Sequence, residues 1–297
     1  MVATEPMQGV FPILVTPFDA RSAIDEESLR SLVEYNLGAG VHGLGIAMAS
    51  EILKFTEAER DQLIRIVVDQ TRGRVPVVVN TGGPATDAAV AYSRRAQELG
   101  ANALMCLPPT LSPPTGTETR SYFREISNAV TIPIFIQDTA TYHVSAGMAK
   151  QIAEECANVR YTKVESMPPA QMVGENVRTA GHILTVFGGA GATYLIEELK
   201  RGAKGTMPWP STPHELVDIW NRFKAGDEAG AWDVFYRTIV PINRVSAGGM
   251  GTALQVQKEI LRRKGVIATA LVRGPADPLD PDTAADLDAV CEVLGIG

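Results

Sequence analysis

Short runs of β-branched and apolar residues recur along the chain about 25–30 residues apart, which is close to the length of one βα unit. Charged stretches with apolar residues at helical spacing lie between them. Eight such units within about 225 residues favour a closed (β/α)8 barrel over an open doubly wound sheet. The runs that we predict as strands are residues 10–18, 43–48, 75–81, 103–109, 132–138, 160–165, 184–189 and 205–210.

The pattern changes after about residue 225, where the β-type runs stop and only helical patterns follow. A Gly-rich joint and a Pro- and Asp-rich joint separate these helical patterns. We therefore predict an α/β TIM barrel over residues 1–225 with a C-terminal helical extension over residues 226–297. No Gly-x-Gly-x-x-Gly motif follows the first run, which argues against a dinucleotide-binding fold.

The composition excludes several classes of partner. With a net charge of -7 over 297 residues, the surface argues against nucleic acid or an anionic membrane as the main partner. Cys106, Cys156 and Cys291 are far apart and form no metal-binding motif with histidines, so we predict no metal site. We see no signal peptide and no run long enough to span a bilayer, and we expect a cytoplasmic protein.

One lysine on a core-type strand is the sharpest signal for chemistry. Alternation along the run 160–165 puts Tyr161, Lys163 and Glu165 on one face. Burial disfavours the charged ammonium and leaves an amine that can attack a carbonyl carbon. The same spacing also fits a structural ion pair with Glu165, so the residues alone leave both interpretations open.

Other polar groups lie where barrel enzymes carry their active sites, at the C-terminal ends of strands. Gln137 fits either a substrate hydrogen bond or a polar cap on its strand. The turn at 47–51 fits either an anion site made of backbone N–H groups or a packing turn whose Glu51 bonds to backbone. The glycine-rich segment 187–194 fits either a phosphate cradle or a tight turn. We interpret His143, just after the fifth strand, as a loop histidine.

These features together resemble the dihydrodipicolinate synthase/N-acetylneuraminate lyase superfamily. The likeness runs over nearly the whole chain and includes GVFPILVTPFD, LKFTEAERDQL, GRVPVVV, LGANALMCLPP and IPIFIQD. The resemblance implies a (β/α)8 enzyme that acts on pyruvate or another 2-keto acid through a Schiff base on Lys163. It implies no cofactor, because the protonated imine is the electron sink, and a homo-oligomer, either a tetramer or a dimer.

The sequence departs from the family pattern at the reacting end of the barrel. The usual Gly-Thr-Thr-Gly-Glu is Ala-Met-Ala-Ser-Glu at 47–51, and the proton-relay tyrosine of strand five is replaced by Gln137. Tyr142 stands where the family has an arginine, and Thr110 stands where the family has a tyrosine after strand four. The usual Lys-Glu step becomes Lys-Val-Glu at 163–165. These changes look most like the branch that dehydrates 2-keto-3-deoxy sugar acids such as 2-keto-3-deoxy-L-arabinonate.

By this resemblance each site residue receives an expected role. Lys163 is the nucleophile, Glu165 the acid/base and Gln137 a positioning group. The expected substrate-binding residues are Ala49, Ser50, Thr81, Tyr142, Gly189 and Met207. Three alternatives stay open: an aldolase, synthase or deaminase on the same lysine, a non-catalytic 2-keto acid binding protein, and a phosphosugar isomerase.

Overall fold

A computed structural model describes residues 5–109 and 114–297. Thr110, one of the departures from the family pattern, lies outside the described residues. Within the described part, eight parallel strands form one sheet in the order β1-β8-β7-β6-β5-β4-β3-β2. They are β1 (Gly9–Val10), β2 (Leu44–Ile46), β3 (Val77–Asn80), β4 (Ala103–Cys106), β5 (Ile134–Thr139), β6 (Val159–Glu165), β7 (Thr185–Gly188) and β8 (Gly205–Thr206).

The two strands at the ends of this order are linked by hydrogen bonds. The His42 N–H, which precedes β2, donates to the Val10 carbonyl at 2.9 Å, and the Val10 N–H donates to His42 Nδ1 at 3.2 Å. From β2 to β8 each strand pairs with the next one along the chain, and β8 pairs with β1. The predicted (β/α)8 barrel is confirmed.

Helices follow the strands as the sequence predicts. They are α1 (Glu26–Gly38), α2 (Glu57–Thr71), α3 (Thr86–Glu98), α4 (Gly116–Ala129), α5 (Ala146–Glu155), α6 (Pro169–Ala180), α7 (Leu195–Lys200), α8 (Pro213–Lys224), α9 (Glu228–Val234), α10 (Val240–Val245), α11 (Met250–Arg263) and α12 (Pro281–Leu294). A π-helical segment, Phe235–Ile239, joins α9 to α10. The predicted C-terminal helices are therefore present. Among helices of the described residues, none is long and apolar enough to cross a bilayer.

Two strands are much shorter than their sequence runs. The run 10–18 yields only Gly9–Val10, and the run 205–210 yields only Gly205–Thr206. Proline lacks the N–H that a sheet ladder needs, and both runs contain two prolines: Pro12 and Pro17 in the first, Pro208 and Pro210 in the second. The apolar character of both runs reflects burial rather than continued strand pairing.

The chain forms two compact units. The first comprises the residues up to Phe11 together with 42–45 and 75–208, and it holds almost all of the sheet with α3 to α7. The second comprises residues 12–41, 46–74 and 209–297 and holds the remaining helices. The boundary that we predict near residue 225 stays a prediction.

An aromatic layer fills the core of the first unit beneath the polar strand ends. Phe135 stacks on Tyr161 with ring centroids 4.4 Å apart, and Phe187 meets Phe135 edge-on at 5.3 Å. Each of these rings lies two residues before a predicted site residue, namely Gln137, Lys163 and Gly189. Since side chains two apart in a strand share a face, the rings support the layer in which the polar groups lie.

The core of the second unit contains a fully buried ion pair. Lys258 of α11 places its Nζ 2.5 Å from Glu51 Oε1 and 2.7 Å from the Leu271 carbonyl oxygen, and both side chains of the pair are 0% exposed. Glu51 Oε2 accepts the Arg273 backbone N–H at 3.0 Å, a contact that a packing turn at Glu51 would make. Burial lowers the pKa of Lys258 to about 8, against the opposing attraction of Glu51.

We predict that Lys258→Met lowers the free energy of unfolding by about 3–5 kcal/mol, because it leaves a buried carboxylate without its main counter-ion. Denaturant titration measures this change. Lys150→Met is the matched control, since Lys150 pairs with Glu154 at the surface and its loss should cost no more than about 1 kcal/mol. Equal costs for both variants would contradict the importance of the buried pair.

Candidate active site

Lys163 and Glu165 form the centre of the polar layer in the first unit. Lys163 is only 4% exposed, and its Nζ lies 2.8 Å from Glu165 Oε2. Both side chains project from β6 on one face, as the alternation of the strand predicts. A buried amine in contact with a carboxylate can exchange a proton with it, which is the first requirement for a lysine nucleophile.

A chain of hydrogen bonds extends from Glu165 across two further strands. Gln137 of β5 is buried and donates from Nε2 to Glu165 Oε2 at 3.1 Å. Asn80, the last residue of β3, donates from Nδ2 to Gln137 Oε1 at 3.1 Å. The amide of Gln137 is therefore held at both ends, which fixes its orientation toward the carboxylate.

Asn80 is a residue to which the sequence assigns no role. Its only signal there is a polar side chain at the end of an otherwise apolar strand, one position from the predicted Thr81. Neighbouring residues in a strand face opposite sides, so Thr81 and Asn80 point to different faces of the sheet. Asn80, and not Thr81, joins the hydrogen-bond chain to Gln137.

The loop after β7 completes the surroundings of Glu165. The Ala190 N–H donates to Glu165 Oε1 at 3.0 Å. Gly189 leaves the space that the carboxylate occupies, because a Cβ there would lie 2.5 Å from Glu165 Cγ. This glycine-rich loop thus uses an N–H group to hold a side-chain carboxylate, an arrangement that does not require a phosphate.

The contacts of Glu165 set its protonation state. Burial raises the pKa of the carboxyl, but the charge of Lys163 and the hydrogen bonds from Lys163, Gln137 and Ala190 lower it more. The net result is a pKa below the ordinary value. Glu165 is therefore a carboxylate at neutral pH and can accept a proton.

The remaining predicted residues of the first unit have other contacts. The Thr81 hydroxyl accepts from Ser93 at 2.9 Å and lies 3.3 Å from the Cys106 sulfur, on the side of α3. Half-buried Tyr142 donates its N–H to Thr139 Oγ1 at 3.0 Å. Buried Met207 donates its N–H to the Gly188 carbonyl at 3.1 Å. Their expected part in lining a substrate pocket stays a prediction.

Ala49 and Ser50 belong to the second unit, in a 3₁₀ turn at Met48–Ser50. The Ser50 N–H donates to the Ala47 carbonyl at 2.8 Å, and its hydroxyl donates to the Leu14 carbonyl. Both donors of buried Ser50 are therefore engaged within its own unit, whereas Ala49 is partly exposed. Carboxylate binding by Ala49 and Ser50 stays a prediction.

His143 is a half-exposed loop residue, in agreement with its interpretation from the sequence. Its Nδ1 lies 2.8 Å from Asp138 Oδ1, and the same oxygen accepts the Val144 N–H at 2.8 Å. Asp138 also accepts the hydroxyl of Ser166. Asp138 follows Gln137 in β5 and points to the opposite face, so this group is distinct from the Lys163 centre.

Comparison with known proteins identifies the family to which the chain is similar. The model of the Dihydrodipicolinate synthetase family matches residues 6–293. L-2-keto-3-deoxyarabonate dehydratase of Azospirillum brasilense is 32% identical over 303 residues, covering 98% of this chain and 96% of the relative. 4-Hydroxy-tetrahydrodipicolinate synthase of Sorangium cellulosum (strain So ce56) is 34% identical over 233 residues, covering 76% of this chain and 77% of the relative.

A solved structure supports the same fold. The crystal structure of dihydrodipicolinate synthase from Rhodopseudomonas palustris superimposes with a TM-score of 0.88 at 25% sequence identity. The match covers 96% of this chain and 97% of that one.

We predict that Gly189→Ala separates Glu165 from Lys163. The new Cβ would lie within 2.5 to 2.7 Å of Glu165 Cγ, Cδ and Oε1, so the carboxylate has to move. A crystal structure of the variant should show Lys163 Nζ beyond hydrogen-bonding distance of Glu165.

Gly147→Ala in α5 is the matched control, because no atom lies within 4 Å of the added Cβ. It should leave the Lys163–Glu165 contact at its native length. Retention of that length in Gly189→Ala would refute the idea that this glycine makes room for the carboxylate.

Proposed function

Since the chain belongs to the Dihydrodipicolinate synthetase family, we propose that it is a Schiff-base lyase that dehydrates a 2-keto-3-deoxy sugar acid. A substrate such as 2-keto-3-deoxy-L-arabinonate would yield a semialdehyde. The observation that carries the proposal is the 2.8 Å contact between buried Lys163 and Glu165. The likeness to the dehydratase of Azospirillum brasilense over 98% of the chain supports the choice of reaction.

The first step is imine formation. The Lys163 amine attacks the C2 carbonyl carbon, the carbonyl oxygen leaves as water, and a protonated imine remains. Glu165 takes the proton that Lys163 must lose before it attacks, a transfer for which their contact is suited, and returns it to the departing oxygen. The proposal needs no metal or organic cofactor for this step, because the protonated imine itself withdraws electrons from C3.

The second step is elimination. The imine acidifies the C3 protons, and Glu165 removes one of them to give an enamine. The enamine electrons expel the C4 hydroxyl, which takes that proton from Glu165 and departs as water. Hydrolysis of the remaining imine frees Lys163, and rearrangement of the released product gives the semialdehyde. Gln137, held between Asn80 and Glu165, is the group that orients the carboxylate or a hydroxyl of the substrate.

The substrate-binding roles of Ala49, Ser50, Thr81, Tyr142, Gly189 and Met207 belong to the same proposal. So do a homo-oligomeric state, either dimer or tetramer, and a cytoplasmic location. The partner is a small 2-keto acid, and neither nucleic acid nor a membrane is part of the proposal.

We expect that borohydride reduction in the presence of pyruvate leaves a covalent adduct on the wild-type protein. Mass spectrometry should show a mass increase of one reduced pyruvate, and Lys163→Ala should show none. Lys258→Arg is the matched control, because Lys258 is the other deeply buried lysine and pairs with Glu51. Absence of an adduct with every 2-keto acid tested would refute the Schiff-base mechanism.

Glu165→Gln should still form an adduct but lose turnover by roughly 10²–10⁴-fold, because an amide cannot accept the C3 proton. Semialdehyde formation from a panel of 2-keto-3-deoxy sugar acids measures turnover, and borohydride trapping measures the adduct. Glu197→Gln is a control on another partly buried glutamate. Turnover of Glu165→Gln equal to that of the wild type would reduce Glu165 to a counter-ion.

A second candidate is an aldolase or synthase reaction on the same lysine. The 34% identity to the synthase of Sorangium cellulosum favours it, whereas Gln137 in place of the relay tyrosine opposes it. Release of pyruvate from a sugar acid, measured by a coupled assay, would favour the aldolase. Formation of a semialdehyde without pyruvate would favour the dehydratase, and binding without either product would favour a 2-keto acid sensor.

A further inference from the structure

Glu198 of α7 is a second buried carboxyl group beside the polar layer. It is 0% exposed, and neither carboxyl oxygen has a hydrogen-bond partner among the described residues. Buried carboxylates are normally paired with cations or N–H donors, because burying an uncompensated charge is very costly. Burial without a partner therefore favours the neutral, protonated form of Glu198.

Glu198 occupies a space made by a glycine at the end of β7. A Cβ added to Gly188 would lie 1.8 Å from Glu198 Oε2. The next residue, Gly189, makes the equivalent space for Glu165. Because consecutive strand residues face opposite sides, the two carboxyl groups lie on the two faces of one Gly-Gly segment.

The charges around Glu198 act in the same direction. Burial first, and then the negative charges of Glu165 on β6 and Glu197 on its own helix, raise the pKa of Glu198 to about 8, while Lys163 opposes them. The nearby Arg201 guanidinium donates to the Glu197 carbonyl oxygen at 3.0 Å. In β8, Thr206 pairs with Gly188, and its buried hydroxyl has no hydrogen-bond partner in the described structure.

We propose that Glu198 is a positioning residue whose neutral form keeps Glu165 charged and allows Lys163 to lose its proton; this inference rests on the proposed Schiff-base role of Lys163. The influence is reciprocal, because two interacting acids each disfavour the ionisation of the other. When Glu198 ionises, the added negative charge strengthens the hold of Lys163 on its proton. Less free amine is then present, so Glu198 sets the alkaline limit of imine formation.

The kinetic test compares the pH profiles of wild type and Glu198→Gln. The rate of adduct formation with pyruvate is measured by cyanoborohydride trapping on both sides of pH 8. The ratio of the rate above pH 8 to the rate below it should be about 3- to 10-fold larger in Glu198→Gln, because the amide of this variant cannot ionise. A purely structural role would change the rate at every pH equally, so parallel profiles would overturn the proposal.

Glu197→Gln is the matched control, because it removes a neighbouring carboxylate of the same helix that is partly exposed. Its profile should keep an alkaline limb, moved to lower pH, because the charge of Glu197 raises the pKa of Glu198. If the alkaline limb is lost in Glu197→Gln but kept in Glu198→Gln, the effect belongs to Glu197 and the proposal is refuted.

Two further measurements do not depend on imine chemistry. Infrared difference spectra should show a protonated carboxylic acid band that disappears near pH 8 and is absent in Glu198→Gln. Unfolded Glu198 loses its proton near pH 4.5 and the folded residue near pH 8, so the unfolded state binds fewer protons between these values. The stability of the wild type should therefore fall as pH rises through this window, and that contribution should vanish in Glu198→Gln.

These measurements separate the two claims. If the wild type forms no adduct at any pH, the proposed function fails, and the infrared band still decides the state of Glu198. If Glu198→Gln does not fold, Glu198→Asp replaces it, because a moved carboxyl should shift the band. A spectrum without any band assignable to residue 198 would overturn the inference.

Discussion

The contact between Lys163 and Glu165 is the interaction around which the first unit is organised. A lysine that is 4% exposed cannot stay charged without a partner, and Glu165 supplies one at 2.8 Å. The carboxylate in turn needs donors, which Gln137 and the Ala190 N–H provide. The pair thus brings polar groups of β5 and the loop after β7 to the end of β6.

Glycine makes this density of polar groups possible. Gly188 and Gly189 leave the two spaces that Glu198 and Glu165 occupy, and any larger residue would collide with one of them. Beneath them, the rings of Phe135 and Tyr161 stack at 4.4 Å and form a rigid apolar floor. A low-dielectric floor and a shortage of space both strengthen the effect of each charge on its neighbours. In our account this coupling adjusts the reactivity of Lys163.

The sequence predicts the barrel and the lysine because both depend on local periodicity. Eight runs at regular spacing are enough to identify the strands, and alternation within one strand is enough to place Lys163 and Glu165 on one face. Strand ends were less predictable where prolines interrupt the ladder, as at Pro12 and Pro208.

The sequence does not predict contacts between residues that lie far apart in the chain. Asn80 reaches Gln137 across 57 positions, and Lys258 reaches Glu51 across 207 positions. No periodic pattern connects such residues, because the barrel closure and the C-terminal helices bring them together. The burial of Glu198 is unpredictable for a related reason, because a glutamate on an amphipathic helix normally indicates the solvent face.

The central claim is that Lys163 is the nucleophile and Glu165 the group that moves its protons. The most direct measurement is a crystal structure of the protein reduced with borohydride in the presence of pyruvate. Our account predicts continuous density from Lys163 Nζ to C2 of the ligand, with the Glu165 carboxylate beside C3. An unmodified Lys163 still 2.8 Å from Glu165, with the ligand bound elsewhere or absent, would contradict it.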